Sequence, residues 1–206
     1  DIYAKCGLLL EACKLFDKLS SQDVVSDTIL ITRYIEHGFW EKALECFQQM
    51  RKVGSSLNCL TYACGLKACG TIGGMREGQE IHSEISTNGM LERNLDVGSA
   101  LVGMYAQFGM LEKAHEVLEE LSLDDVVTWN TLMAGYAHMG HARGVLTLFA
   151  KMMEGNAVPN RISFLVLLTT CSHVGLVEEG QKVLEMMDNI YSFTPSLEHY
   201  ACMVDL

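Results

Sequence analysis

Only two of the 206 residues are proline, Pro159 and Pro195. A proline inside a helix removes a backbone donor and clashes with the preceding turn, so a chain this poor in it leaves most of its length open to helix. Long apolar runs are missing too. The longest, residues 164–168, gives way at once to Thr169 and Thr170, far short of the roughly 18 to 20 residues that cross a bilayer, and no membrane span is expected. Eight cysteines are present but no Cys-x-x-Cys. Cys59, Cys64 and Cys69 step by five, which turns about 140° per step on an α-helix and scatters the thiols around it. Cys6, Cys13, Cys46, Cys171 and Cys202 fall at small apolar positions of helical patterns. The expectation is free, buried thiols in a reducing compartment, with no bound metal and no cofactor. Basic residues are scarce: 15 Lys and Arg stand against 26 Asp and Glu, a net charge of −11. That argues against the basic footprint through which nucleic-acid binders usually gain affinity.

Signatures of catalysis are missing in the same way. Phosphate loops of the Walker or dinucleotide type are absent. His82-Ser83-Glu84 spells the His-x-Glu of zinc deaminases, but no Pro-Cys-x-x-Cys follows to complete a metal site. His138 and His141 straddle Gly140 with no cysteine or carboxylate placed to finish a tetrahedral set. No enzymatic activity is expected of these residues.

What the chain does have is a period. Gly7, Gly38, Gly73, Gly109, Gly140 and Gly175 are separated by 31, 35, 36, 31 and 35 residues, so the cycle of three steps restarts after 102. Tyr3-Ala4 then aligns with Tyr105-Ala106, Asp23-Val24-Val25 with Asp125-Val126-Val127, and Asn58 with Asn160. Cys69 pairs with Cys171, Glu77-Gly78-Gln79 with Glu179-Gly180-Gln181, and Leu44, Phe47 and Met50 with Leu146, Phe149 and Met152. Self-similarity at such periods marks a solenoid, a propeller or an array. With 49% hydrophobic and 20% charged residues, the chain has the balance of a folded protein.

Within one period the apolar pattern is helical. In residues 126–160, Thr128 is expected to cap a first helix whose apolar face is Leu132, Met133, Tyr136 and Ala137. Gly140 should end it, because glycine accepts the left-handed conformation that closes a helix. A second helix with Val145, Leu146, Phe149, Met152 and Met153 apolar should then run until Gly155 and Pro159. Each unit therefore reads as a helical hairpin, with units at 24–58, 59–94, 95–125, 126–160 and 161–196 and partial ones at 1–23 and 197–206. Since a lone hairpin cannot bury its apolar stripe, the expected fold is all-α, one array of hairpins stacked into a right-handed α-solenoid. The chain enters one unit at its ninth place and stops inside another, and is expected to be a fragment.

Four stretches carry a resemblance: Asp125-Val126-Val127-Thr128-Trp129-Asn130-Thr131-Leu132, Met104-Tyr105-Ala106-Gln107-Phe108-Gly109, Ala43-Leu44-Glu45-Cys46-Phe47-Gln48-Gln49-Met50, and Leu197-Glu198-His199-Tyr200 with the residues to Leu206. They resemble pentatricopeptide repeats, specifically the plant subclass that alternates P, L and S units, and the likeness covers essentially the whole chain. The length cycle is the most specific feature, since tetratricopeptide arrays keep a constant period of about 34. The implied order is partial S, P, L, S, P, L, partial S.

The resemblance implies single-stranded RNA binding in a plastid or mitochondrion, one base per repeat, the fifth and last residues choosing the base and the second helping to sandwich it. A base out of its stack shows its Watson–Crick edge to such side chains. Carried onto this chain, the reading pairs are Thr28 with Asn58, Ser99 with Asp125, and Asn130 with Asn160, with Val25, Asp96 and Val127 at the sandwiching place. The L units offer Ala63 with Asn94 and Leu165 with Ser196, and an alanine or leucine side chain has no atom with which to read an edge. The family code implies an A-N-G-C-N target, 5′ to 3′. The resemblance of the final stretch to the S unit before the family's C-terminal extension points to cytidine-to-uridine editing. Two readings stay open beside this. Thr28, Ser99 and Asn130 are also placed for local capping, and Asn58, Asp125 and Asn160 for turns. Val25 and Val127 are equally suited to pack on the preceding hairpin. Weak RNA binding is expected of a chain this acidic, and the rival function is a protein-interaction scaffold, engaging accessory editing factors through the apolar L units.

Overall fold

The computed structural model describes residues 24–91, 94–121 and 125–206. The expected partial unit at 1–23, with Gly7, Tyr3, Ala4, Cys6 and Cys13, lies outside the described residues. Eleven α-helices and no strands make up the described residues. They are α1 (Val24–Glu36), α2 (Trp40–Val53), α3 (Cys59–Ile72), α4 (Met75–Thr87), α5 (Leu95–Gln107) and α6 (Leu111–Glu120), followed by α7 (Val126–His138), α8 (Ala142–Glu154), α9 (Arg161–Val174), α10 (Val177–Asn189) and α11 (Leu197–Val204). The first helices of the hairpins, α1, α3, α5, α7 and α9, start at the first residues of the units, α7 at Val126 rather than after Thr128. None of the described helices is long and apolar enough to cross a membrane.

The turns inside the hairpins follow from the glycine frame. Gly73 (φ 82°) and Gly140 (φ 75°) sit in the left-handed region, where an L side chain would be strained. Their N–H groups, or those of the next residue, close the preceding helix: Gly74 N–H donates to Cys69 O at 2.9 Å, and His141 N–H to Tyr136 O at 2.9 Å. The other described members of the frame turn the same way. Both prolines stand immediately before the residue that caps a helix, Pro159 before Asn160 and Pro195 before Ser196, where no interior hydrogen bond is lost.

The chain divides into two compact units, Asp1–Met90 and Leu91–Leu206. In the described part of the first, α1 packs on α2 and α3, α2 on α3, and α3 on α4. Phe47 from α2 is fully buried and meets the Tyr62 ring edge-on at 5.9 Å. Burial of one such side chain contributes about 1.5 to 3 kcal/mol. In the second unit α5 packs on α6 and α7, α7 on α8 and α9, and α9 on α10 and α11. Phe164 is buried among Phe149, Tyr191 and Phe193. Helices α5 and α7 approach closely because Gly135 faces Ala106, where a Cβ on Gly135 would lie 2.5 Å from the alanine methyl. The architecture is an all-α solenoid of hairpins, each packed on its chain neighbours within its unit.

The second helix of residues 126–160 departs from expectation in its apolar face. Val145, Leu148, Phe149 and Met152 are buried, whereas Leu146 is half-buried and Met153 is exposed. Three- and four-residue steps from Val145 pass through Leu148 and Met152, which leaves Leu146 and Met153 on the flank. Among the described thiols, Cys64, Cys69 and Cys171 are buried as expected, but Cys46, Cys59 and Cys202 are only half-buried, and none of the six is in a disulfide. Each of these three lies at the edge of its helix's buried stripe.

Candidate nucleic-acid interface

Each hairpin boundary is built by one residue that ends a hairpin and starts the next first helix. Asn58, Asn94, Asp125, Asn160 and Ser196 are the N-cap residues of α3, α5, α7, α9 and α11. Thr128 is therefore not the cap of α7. Asp125 is, with its carboxylate accepting from Val127 N–H at 3.2 Å and Thr128 N–H at 2.9 Å. Asn58 Oδ1 accepts from Thr61 N–H at 2.8 Å, Asn94 Oδ1 from Val97 N–H at 3.1 Å, and Asn160 Oδ1 from Ile162 and Ser163 N–H at 3.0 and 3.1 Å. An N-terminus leaves its first backbone donors without helical acceptors, and these side chains supply one. Capping of α3, α5, α7 and α9 thus falls to the last residues of the units, and Ser99 and Asn130 are not the caps of the helices that carry them.

That orientation decides what the caps offer to solvent. Because the oxygen of each Asn accepts from backbone donors, the helix start makes no use of its amide nitrogen. Asn58 is exposed, and Asn94 and Asn160 are half-buried. Asp125, with both oxygens engaged by the helix start, offers only remaining lone pairs.

The fifth residues lie deeper. Thr28 is 2% exposed and Asn130 6%, while Ser99 is half-buried with no side-chain hydrogen bond among the described residues. The structure joins Asn130 to Asn160 directly: Asn130 Nδ2 donates to Asn160 Oδ1 at 3.1 Å. Thr28 reaches Asn58 through Thr61, whose Oγ1 is 2.8 Å from Thr28 Oγ1 and 2.9 Å from Asn58 Oδ1. Ser99 and Asp125 are not hydrogen-bonded. Ala63 is buried and Leu165 half-buried, so neither brings a polar atom to its boundary.

The second residues form an exposed series. Val25, Leu60, Val127 and Ile162 are 58%, 52%, 57% and 58% exposed, and Asp96 and Glu198 interrupt them with charge. Leu60 and Ile162, which the sequence reading passed over, occupy the same place.

Charge is divided between the two helix sets. The described first helices carry Arg33, Lys67 and Arg161 against Asp27, Glu36, Asp96 and Glu198, whereas the second helices carry eight basic and fourteen acidic residues. The acidity of the chain is thus concentrated away from the helices that bear the boundary residues. A cavity of about 560 Å³ between α2 and α4 belongs to that second set, and its Arg51 pairs with Glu84 and, at 3.7 Å, with Glu80. The Tyr62 hydroxyl, 3.3 Å from Glu84, is pushed above its ordinary value first by burial and then by that carboxylate. Glu84, the carboxylate of the His-x-Glu triplet, is engaged in this ion pair. His138 and His141 are exposed, with His141 edge-on to Tyr136 at 6.3 Å. Among the described residues no three His, Cys, Asp or Glu side chains converge as metal ligands would.

The sequence reading missed one further residue at each boundary. The third residue of the next first helix is buried at Thr61, Thr128, Ser163 and His199, and its side chain turns back onto the cap. The signal was present as a hydroxyl residue three places after Asn58, Asp125 and Asn160, the spacing of a capping box.

Comparison with known proteins gives one family. Profiles described as PPR repeat family and PPR repeat match residues 124–173 and residues 1–24, 28–55 and 99–126. Among curated relatives, Arabidopsis thaliana pentatricopeptide repeat-containing proteins At4g30700 and, described as mitochondrial, At5g40410 are 35% and 36% identical over 100% and 99% of this chain. The chain spans 26% and 33% of their lengths. The crystal structure of the pentatricopeptide repeat protein PPR10 in complex with an 18-nt psaJ RNA element matches with a TM-score of 0.66 at 23% identity, over 98% of this chain and 29% of that one. Nuclear proteinaceous RNase P 2 of A. thaliana matches with a TM-score of 0.63 at 12% identity, over 88% and 41%. At these identities the structural likeness is one of fold.

Proposed function

Because the chain belongs to the pentatricopeptide repeat family, we infer that its polar boundary pairs read single-stranded RNA, one base to a hairpin. The Asn130–Asn160 pair carries the reading. Asn160 Oδ1 is occupied by two backbone donors and by Asn130, so the N–H groups this reading assigns to the base are those of Asn160 Nδ2 and the second hydrogen of Asn130 Nδ2. Cytosine presents acceptors at N3 and O2, which such donors satisfy. Asp125 offers acceptors where guanine presents donors at N1 and N2. With Thr28 and Asn58 read as selecting adenine, the target is A-N-G-C-N, 5′ to 3′, the unspecified places falling at the L units. The exposed Val25 and Val127 supply apolar contact to the base faces.

The near-neutral first helices explain how an acidic chain can do this: RNA lying along them avoids the acidic second helices, while gaining little from phosphate neutralisation. Affinity should therefore be low for this chain and depend weakly on salt. The 18-nt RNA element in the PPR10 complex supports the ligand class, and a mitochondrial relative supports an organellar setting. Membership of the subclass with P, L and S units, and a place in cytidine-to-uridine editing in plastid or mitochondrion, extend the proposal on the length cycle and the final stretch from Leu197. The test is binding of the chain, alone and extended by further repeats, to oligonucleotides that differ at one base. Each mismatch at the A, G or C place should cost about 1 to 3 kcal/mol. Equal binding of all sequences would overturn the reading. It would favour a protein scaffold, for which the acidic second-helix surface is the supporting observation.

A further inference from the structure

We propose that the reading element of this protein crosses the hairpin boundary: the buried hydroxyl at the third place of the following first helix positions the polar pair before it at Thr61 and Ser163, and the Asp125 carboxylate alone at Thr128, and so sets base selectivity. This rests on the base-reading function proposed above and adds a positioning residue to it.

Hydrogen-bond accounting at Ser163 shows how. Its one proton lies between Asn130 Oδ1 at 2.7 Å and Asn160 Oδ1 at 3.3 Å, and it goes to the nearer. Ser163 Oγ in turn accepts from the Asn160 backbone N–H at 3.1 Å. Asn130 Oδ1 is thereby filled, and its amide nitrogen is held toward Asn160 Oδ1. Without the hydroxyl, a carboxamide that is 6% exposed would keep an unpaired oxygen, which costs enough to drive it to another orientation. At the first P boundary Thr28 Oγ1 donates to Val24 O at 2.6 Å, and Thr61 Oγ1 lies 2.8 Å from Thr28 Oγ1 and 2.9 Å from Asn58 Oδ1, so its one proton is placed to serve either member of the pair. Thr128 holds the Asp125 carboxylate in turn.

Helix capping alone does not account for these hydroxyls. Asn94 caps α5 through Val97 N–H at 3.1 Å with no hydroxyl in that place. A cap also has no need of bonds that reach 33 residues back to Asn130 and Thr28 in the preceding hairpin. The pattern follows the readers. Ser26, Thr61, Thr128 and Ser163 stand three places after Asp23, Asn58, Asp125 and Asn160, the ends of S and P units, whereas Val97 and His199 follow Asn94 and Ser196, the ends of both L units.

The test measures base preference at the Asn130/Asn160 place, as the ratio of affinities for oligonucleotides carrying cytosine or uracil there, on the chain extended by further repeats. Ser163→Ala should lower the cytosine preference roughly three- to tenfold, the range expected for one lost hydrogen bond, and Ser163→Thr should restore it. A second variant, Thr61→Val, keeps the side-chain shape and removes only the hydroxyl; it should lower the adenine preference at the Thr28/Asn58 place by a similar factor. Weaker binding of every oligonucleotide with unchanged ratios would assign the hydroxyls to capping alone and overturn the proposal. A parent protein with no preference at either place would instead overturn the base-reading function on which it rests.

Discussion

The boundaries at Asn94 and Asn160 begin with the same residue, the same extended backbone and the same hydrogen bond donated by the third helical N–H to the side-chain oxygen. They differ in their neighbours. Asn160 receives a hydrogen bond from Asn130 and stands in a network closed by Ser163. Asn94 is followed by the fully buried Val97, and its unit has alanine at the fifth place. The local demand of a helix start, four backbone donors with no acceptor, is met by a side-chain oxygen at both, with one donor at Asn94 and two at Asn160. What differs is whether the rest of the side chain is held in a defined orientation toward a ligand. A capping residue becomes a candidate reader only when neighbouring hairpins supply the partners that fix it.

Three experiments sharpen that contrast. The largest effect is expected from Asn160→Asp, which keeps the cap and replaces outward N–H donors with acceptors. Preference at that place should move from cytosine toward uracil, whose N3–H is a donor, by about 1 to 3 kcal/mol in competition binding. Asn94→Asp should leave every base ratio unchanged, and a shift of equal size there would erase the distinction between the boundaries. Next come the truncations Asn160→Ala and Asn94→Ala. Both should lower stability by about 0.5 to 2 kcal/mol in denaturant melts through loss of the cap, while only the first alters base discrimination. The smallest effect concerns the aligned thiols Cys69 and Cys171, one in each compact unit. Burial, aided by Glu77, pushes Cys69 from an ordinary 9.0 up to about 12, and burial with Glu179 raises Cys171. The folded state disfavours the thiolate, so this contribution is complete below pH 9 and is lost as pH rises toward 12. Cys69→Ala should flatten the alkaline limb of the stability curve, and an unchanged limb would show that the thiol does not report on folding.

The hairpins were legible in the sequence because glycine at a left-handed turn and apolar residues at three- and four-residue spacing are local requirements. Gly38, Gly73, Gly109, Gly140 and Gly175 all have positive φ, and the first helices start where the periodicity placed them. The capping residue of α7 was misplaced for a local reason as well. Thr128 and Asp125 are both good caps in isolation, and only the helix start, at Val126, assigns the role to Asp125 and leaves Thr128 as its buried partner.

By itself, then, the sequence determined the all-α hairpins, their spacing and the kinds of side chain at each boundary, since these depend on residues within a turn or two of one another. The tertiary structure decided which polar side chains are spent inside and which face outward. Thr28 and Asn130 are buried because α3 and α9 pack over them, and their partners Thr61 and Ser163 come from 33 residues away. It also decided that Val25, Leu60, Val127 and Ile162 remain exposed on the first helices. Packing of one hairpin on the next covers one face of each helix and leaves another open, and only that contact settles what a ligand can meet.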